Sequence, residues 1–247
     1  MSRLAVQLLF VTSLLLLAAA LWKQHELPQY PLLHEELLRE PEQIQIRKAA
    51  FNTTVNGVTY KIQPLYTYDL YGLIVSRHDA KTWWDYLHRE WNDHLNVMDL
   101  CVVWGNNLRR GVYKEAKYSS GQFQCFIQLP SQEIYEVFDQ TALSNNHLLA
   151  DKPGIANAIR KASVGDQIHF RGYLAEYAHN HNGQPFHRGT SIVRTDTGNG
   201  ACETVYVEDF EILRPGGGPW RVVVWVAALL LLASNIAWFR LPLKQND

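Results

Sequence analysis

Two apolar runs at opposite ends of the chain constrain everything between them. Residues 4 to 22, LAVQLLFVTSLLLLAAALW, lie between Arg3 and Lys23, and residues 222 to 239, VVVWVAALLLLASNIAWF, lie between Arg221 and Arg240. At about 1.5 Å of rise per residue, a helix of roughly 19 residues nearly crosses a hydrocarbon core of about 30 Å. No other stretch is apolar enough to span. The first run also has the form of a signal peptide, with Leu8 to Leu17 as its apolar region and Ala18-Ala19-Ala20 offering small residues for cleavage. The bulky Leu21-Trp22 pair and the length of the run favour an uncleaved anchor. Trp22, Trp220, Trp225 and Trp238 suit an interfacial belt, and Arg3, Arg240 and Lys244 place both tails in the cytoplasm by the positive-inside rule. The lipid bilayer is thus the first expected partner, and the region between the runs is expected to be exported.

The expected organisation is an anchor or uncleaved signal at 1–23, a stalk at 24–50, a folded extracytoplasmic domain at 51–213, a linker at 214–219, a second span at 220–240 and a cytoplasmic tail at 241–247. The stalk reads as a short amphipathic helix broken at Pro41, with Glu35 and Arg39 four apart on one face. The linker, RPGGGP, has the glycine and proline content of a brief flexible connection. Residues 24–219 carry a net charge of about −5, which argues against a nucleic-acid partner. Cys101, Cys125 and Cys202 fall in the exported part, where disulfides persist. Cys101 and Cys125 sit in two apolar strands that can be neighbours and form the preferred bridge, the alternative being three buried thiols.

Within the domain, five stretches read as strands: 67–76, 97–105, 121–129, 166–177 and 203–213, with 56–66 as a leading strand interrupted at Pro64. Helices are expected from Asp79, with Trp84, Leu87 and Trp91 at helical spacing; from Ser131, with Ile134, Val137 and Phe138 buried; and around Pro153, with Ile155, Ala158, Ile159 and Ala162 facing inward. The fold class is therefore mostly β with helices, α+β. Three strands, a helix, the Gly165-Asp166 turn and two further strands follow the order of an OB-fold, and VGDQIHFRGYL resembles the passage from helix to fourth strand in such domains. An OB-like barrel of five or six strands, flanked by the two spans, is the expected architecture. The whole chain also resembles uncharacterised bacterial inner-membrane proteins with a short exported domain, through NDHLNVMDLCVVWG, SNNHLL and RGTSIVRTDTGNGACETVYV. That resemblance implies a bacterial inner membrane with the central domain periplasmic. It implies no activity.

Four groups of side chains are candidates for chemistry. His179, His181 and His187, in and beside a hairpin, offer imidazoles for a metal, with Cys202 as a further candidate ligand, although no Cys-x-x-Cys or His-Glu-x-x-His accompanies them and any exposed hairpin tip has this composition. The connection 187–203 gathers Arg188, Thr190, Arg194, Thr195, Asp196, Thr197, Asn199 and Glu203, either as a recognition surface or as a structural ion-pair network. His94 and Asp99, with Asp93, and His147 in SNNHLL have the residue types of acid–base chemistry; helix exit and capping explain the same residues without it. The polar face of the fourth strand presents His169, Arg171, Tyr173 and Tyr177, where OB-folds often hold ligand contacts. The reading favoured is a membrane-anchored envelope protein binding a partner protein or glycan through His169, Arg171, Tyr173, His187, Arg188, Arg194, Asp196 and Glu203, with no cofactor. One alternative is an envelope hydrolase or transferase using His94, Asp99 or His147 with Arg194 and Asp196; the other is a metal-binding domain built on the hairpin histidines.

Overall fold

The computed structural model describes residues 2–241; residues 242–247 of the expected tail, Lys244 among them, and the side chain of Asn199 lie outside the described residues. The chain divides into two units, one formed by its two ends and one spanning Leu27–Pro215.

In the first unit two helices, Arg3–Lys23 and Trp220–Arg240, are long and apolar enough to cross a membrane. They lie against each other. Val6, Ser13 and Ala20 of one and Ala227 and Ser234 of the other are buried at steps of seven, the period of a seam between two helices.

The second unit is mixed α+β and mostly sheet. Its ten strands among the described residues are β1 Glu42–Gln45, β2 Phe51–Val55, β3 Val58–Asp79, β4 Asn96–Val103, β5 Lys117–Gly121, β6 Gln124–Gln128, β7 Leu143–Leu149, β8 Gln167–His181, β9 Gln184–Arg188 and β10 Cys202–Arg214. Strands β3, β4, β7, β10 and β8 pair in that order, and β8 pairs again with β3, so the sheet closes into a ring. Every pair around the ring is antiparallel except β7 with β10. The long β3 serves both neighbours, pairing with β8 from Lys61 to Leu73 and with β4 from Leu73 to Asp79. Register shifts after Pro64 and Ile74 are bulges, which bend a strand and raise its twist.

Apolar residues from all five ring strands make the main core, among them Leu70, Leu100, Leu148, Phe170 and Val205. Helix Pro153–Lys161 closes onto it through Ala156 and Ile159, with Ile155 and Ala158 packed alongside. Gly165, at a φ of +84°, turns the chain into β8 while its N–H donates to Ile74 O at 2.8 Å. Successive strand residues point to opposite faces. With Met98, Leu100 and Val102 in the main core, Asp99, Cys101 and Val103 therefore face outward. The β5–β6 hairpin lies over that outer face and is joined to it by the Cys101–Cys125 disulfide, whose Cα atoms are 5.7 Å apart; Cys202 remains a free thiol.

Four expectations are corrected. The third ring strand is β7, which contains SNNHLL, whereas 121–129 contributes only β6 of a separate hairpin. Residues 56–66 and 67–76 form one continuous strand, because bulges let β3 bend without breaking. From Asp79 onward only Leu87–Glu90 is helical, and Trp84 and Trp91 are 46% and 40% exposed, so their spacing does not mark a buried stripe. The expected stalk packs on the domain from Leu27 onward: Leu37 is fully buried, Trp104 Nε1–H donates to Glu40 Oε2 at 3.0 Å, and β1 pairs with β3.

Candidate functional site

The outer face of β4, β7 and β10 carries a buried chain of polar side chains ending at a cavity. Asp99 and His147 face each other across β4 and β7, and Thr204 of β10 pairs with His147 from the other side. Both side chains are fully buried, and His147 Nδ1 lies 2.6 Å from Asp99 Oδ1. Asn96 Nδ2 donates to the same oxygen at 2.8 Å, and the backbone N–H of Phe123 donates to Asp99 Oδ2 at 2.8 Å. Phe123 delivers that N–H from the β5–β6 turn at a φ of +61°, an uncommon conformation for a side-chain-bearing residue. Its ring stacks on His88 at 4.0 Å and lies beneath the Arg188 guanidinium at 4.2 Å.

The hydrogen bonds fix the protonation of these groups. Arginine has donors only, so the 2.6 Å contact from Arg188 Nη2 makes His147 Nε2 an acceptor. His147 is therefore neutral, with its proton on Nδ1 and donated to Asp99. Burial, the largest influence, depresses the His147 pKa; Asp99 opposes it, and Arg188 pushes the same way as burial. For Asp99, burial works against ionisation, but its contacts with His147 and the Asn96 amide outweigh it and hold the carboxyl well below its usual range. The same logic extends outward. Because Asn96 Nδ2 is the donor to Asp99, it also donates to His88 Nε2 at 3.0 Å, and His88 Nδ1–H then reaches Asp85 Oδ2 at 2.6 Å.

Arg188 is where this network meets a cavity of about 380 Å³, walled by Phe123, Gln124, Gln140, Asn145 and Cys202 among others. Arg188 makes no ion pair among the described residues; its partners are a neutral imidazole and an aromatic face. Cys202 opens on the same cavity, but burial raises its pKa, with Arg188 opposing, so it is not an activated thiolate.

Of the acid–base candidates, Asp99 and His147 are brought together and His94 is not: its backbone N–H donates to the Tyr60 hydroxyl oxygen at 2.8 Å, and its ring does not join the network. Arg194 and Asp196 also lie apart from the dyad. Arg194 pairs with the buried Glu203 at 3.1 Å and covers the Trp104 ring at 4.9 Å, while Asp196 accepts from the Ser191 hydroxyl. The atom a general base would use, His147 Nε2, accepts from Arg188 Nη2. The hairpin histidines do not converge. His187 pairs with Ala178, one step out of phase with His179 and His181, and so points to the opposite face, toward Glu176 at 3.6 Å; His179 Nε2–H is spent on Trp91 O at 2.8 Å.

The fourth-strand face is also divided. His169 is stacked on Tyr71 and bonded to Asp69 at 2.9 Å, the exposed Arg171 lies 3.4 Å from Asp209, and Lys48 sits 3.8 Å over the Tyr173 ring. Tyr177 is buried on that face beneath Phe186 and donates to Asp93 at 2.6 Å. Sequence reading missed Phe123, Asn96, His78, Asp85 and His88. The spacing of His78, Asp85 and His88 was a signal available for three of them.

Burial raises the Glu203 pKa to about 7 against the pull of Arg194. Between 4.5 and 7 the folded chain thus keeps a proton that the unfolded chain has lost, so this group's contribution is whole at acid pH and fades as pH rises through 7. Glu203→Gln is expected to remove a pH-dependent loss of about 3 kcal/mol, read as a flatter urea midpoint between pH 5 and 8.

Comparison of the chain with protein-family models, with curated proteins and with solved structures gives no match.

Proposed function

We propose that the chain is a membrane-anchored protein of the bacterial envelope whose ring domain binds an acidic group of an envelope glycan or partner protein at Arg188. In this reading the two apolar helices hold the chain in the inner membrane with the domain in the periplasm. The ring is an OB-like barrel, a reading supported by its five strands and by the helix between the third and fourth of them. Tethering raises the domain's effective concentration toward other envelope components.

The observation carrying this function is the partner of Arg188. A guanidinium at a cavity wall is ordinarily neutralised by a carboxylate; here it is fixed by a neutral imidazole that is itself fixed by Asp99. Its charge and remaining N–H groups stay available, already oriented, and arginine's planar fork suits a carboxylate or phosphate. Gln124, Gln140 and Asn145 add amide donors and acceptors around it. Dissociation constants measured by calorimetry for N-acetylmuramic acid, glucuronic acid and inorganic phosphate, with N-acetylglucosamine as the neutral control, test this. At least one acidic probe is expected to bind the detergent-purified chain, and Arg188→Gln is expected to weaken it roughly 10- to 100-fold, the worth of about 1.5–3 kcal/mol in a charged hydrogen bond. Equal binding by Arg188→Gln, or binding of the neutral sugar alone, overturns the assignment.

A further inference from the structure

We propose that His78, Asp85 and His88 hold one divalent transition-metal ion, zinc by the nature of the donors, which pins the segment between β3 and β4 to the ring. The three residues come from the end of β3, from the irregular stretch after it and from helix Leu87–Glu90. All are buried, and one ligand atom from each lies within 4.8 Å of the others. Both imidazoles aim at a single carboxylate oxygen, since His78 Nε2 and His88 Nδ1 each stand 2.6 Å from Asp85 Oδ2. Two imidazoles and a carboxylate oxygen are a donor set that zinc takes readily, with a fourth position left for water or another small ligand.

Charge and orphaned atoms point the same way. Asp85 is fully buried and, among the described residues, its ion-pair partners are these two imidazoles, with no lysine or arginine. A metal ion at this point would supply the fixed positive charge that a buried carboxylate with only imidazole partners lacks. Asn96 Oδ1 is buried without a hydrogen-bond partner, and it is the acceptor that a His88 ring bound through Nδ1 would need. Aromatic rings wall the cluster, Trp84 at 4.7 Å from the His78 ring and Phe123 at 4.0 Å from that of His88.

Ligation balances without an added proton. The His88 proton moves from Nδ1 to Nε2, that of His78 from Nε2 to Nδ1, and the donors part to about 3.3 Å, the separation expected around a tetrahedral ion with bonds of about 2.0 Å. The Asn96 amide then turns to present Oδ1 to His88 Nε2–H. This withdraws one hydrogen bond from Asp99, so the ion is expected to be felt at His147.

The full chain, purified in detergent through a tag without histidine, is dialysed against metal-free buffer and assayed by elemental analysis. About one equivalent of zinc is expected, bound on purification or after adding zinc sulfate. Dipicolinate should lower the melting temperature by roughly 5–10 °C, and zinc should restore it. Nitrogen resonances of His78 and His88 should shift on zinc addition, with a smaller response at His147. Asp85→Asn and His88→Gln should lose the equivalent, and a triple Gln variant of His179, His181 and His187 should keep it. Failure of the unaltered chain to take up zinc overturns the proposal whether or not the variants fold, as does loss of zinc from the triple variant. Acidic-probe binding at Arg188 is scored separately in the Arg188→Gln chain, so the two assignments can fail independently.

Discussion

Asp99→Asn is expected to destabilise the domain by about 3–5 kcal/mol and to abolish binding of acidic probes at Arg188. The substitution changes little in volume, so the effect isolates charge and donor geometry. Asp99 Oδ1 accepts from His147 Nδ1–H and from Asn96, and Oδ2 accepts from the Phe123 N–H. An amide has one acceptor oxygen. Whichever way it turns, its NH₂ confronts an N–H in a site with no exposure, and the unmatched donors carry their full desolvation cost. His147 then loses the partner that keeps its proton on Nδ1, and with the other tautomer Nε2 no longer accepts from Arg188. Calorimetry and urea unfolding on one sample separate the two effects. A stable variant that still bound acidic probes would show that the Asp99–His147 dyad does not orient Arg188.

Some of this was legible in the sequence because it follows from periodicity. The strand at 166–177 and its polar face were legible, and Ile168, Phe170 and Leu174 on the other face lie in the main core; the Gly165-Asp166 turn marked its start, and the Pro153 helix and both terminal helices announced themselves by composition. The site lay where local preference and tertiary context disagree. SNNHLL has the residues of a turn, yet it is the ring strand β7, and Ser144, Asn145, Asn146 and His147 are all buried. Its polar groups are tolerated because partners in other segments meet many of them: Asn145 donates to Phe123 O at 3.2 Å, and His147 meets Asp99 and Arg188. None of those partners is near in sequence, so turn chemistry dominates any local reading. His78, Asp85 and His88 were hidden differently. Helical spacing of Trp84, Leu87 and Trp91 drew attention to a stripe that does not exist, and away from the polar residues between them.

Gly172→Ala is expected to prevent the ring from closing. Gly172 lies in the middle of β8, where a residue without a side chain ordinarily weakens a strand. Here β8 must pair on both edges, with Tyr68 of β3 opposite Gly172 on one side and Val207 of β10 on the other. The ladder with β10 slips between Val207 and Asp209, and the backbone of Tyr206 is drawn against Gly172. A Cβ added there would stand 2.0 Å from Tyr206 O and 2.9 Å from its carbonyl carbon. Both are main-chain atoms held by the parallel pairing of β10 with β7, where Tyr206 faces Leu149, so no side-chain rotation relieves the overlap. One ladder must open, which exposes core residues on either side, Phe170 and Val207 among them. The loss should exceed about 4 kcal/mol, in the range reserved for single changes that break a fold's backbone geometry. Circular dichroism and urea unfolding of the 27–215 fragment would measure it, provided the unsubstituted fragment first unfolds cooperatively. Gly183→Ala is the control, since nothing lies within 4 Å of its added Cβ and its φ of +76° confines the cost to local strain. Equal stability of the two variants would mean that β8 and β10 are not locked in the register that closes the ring.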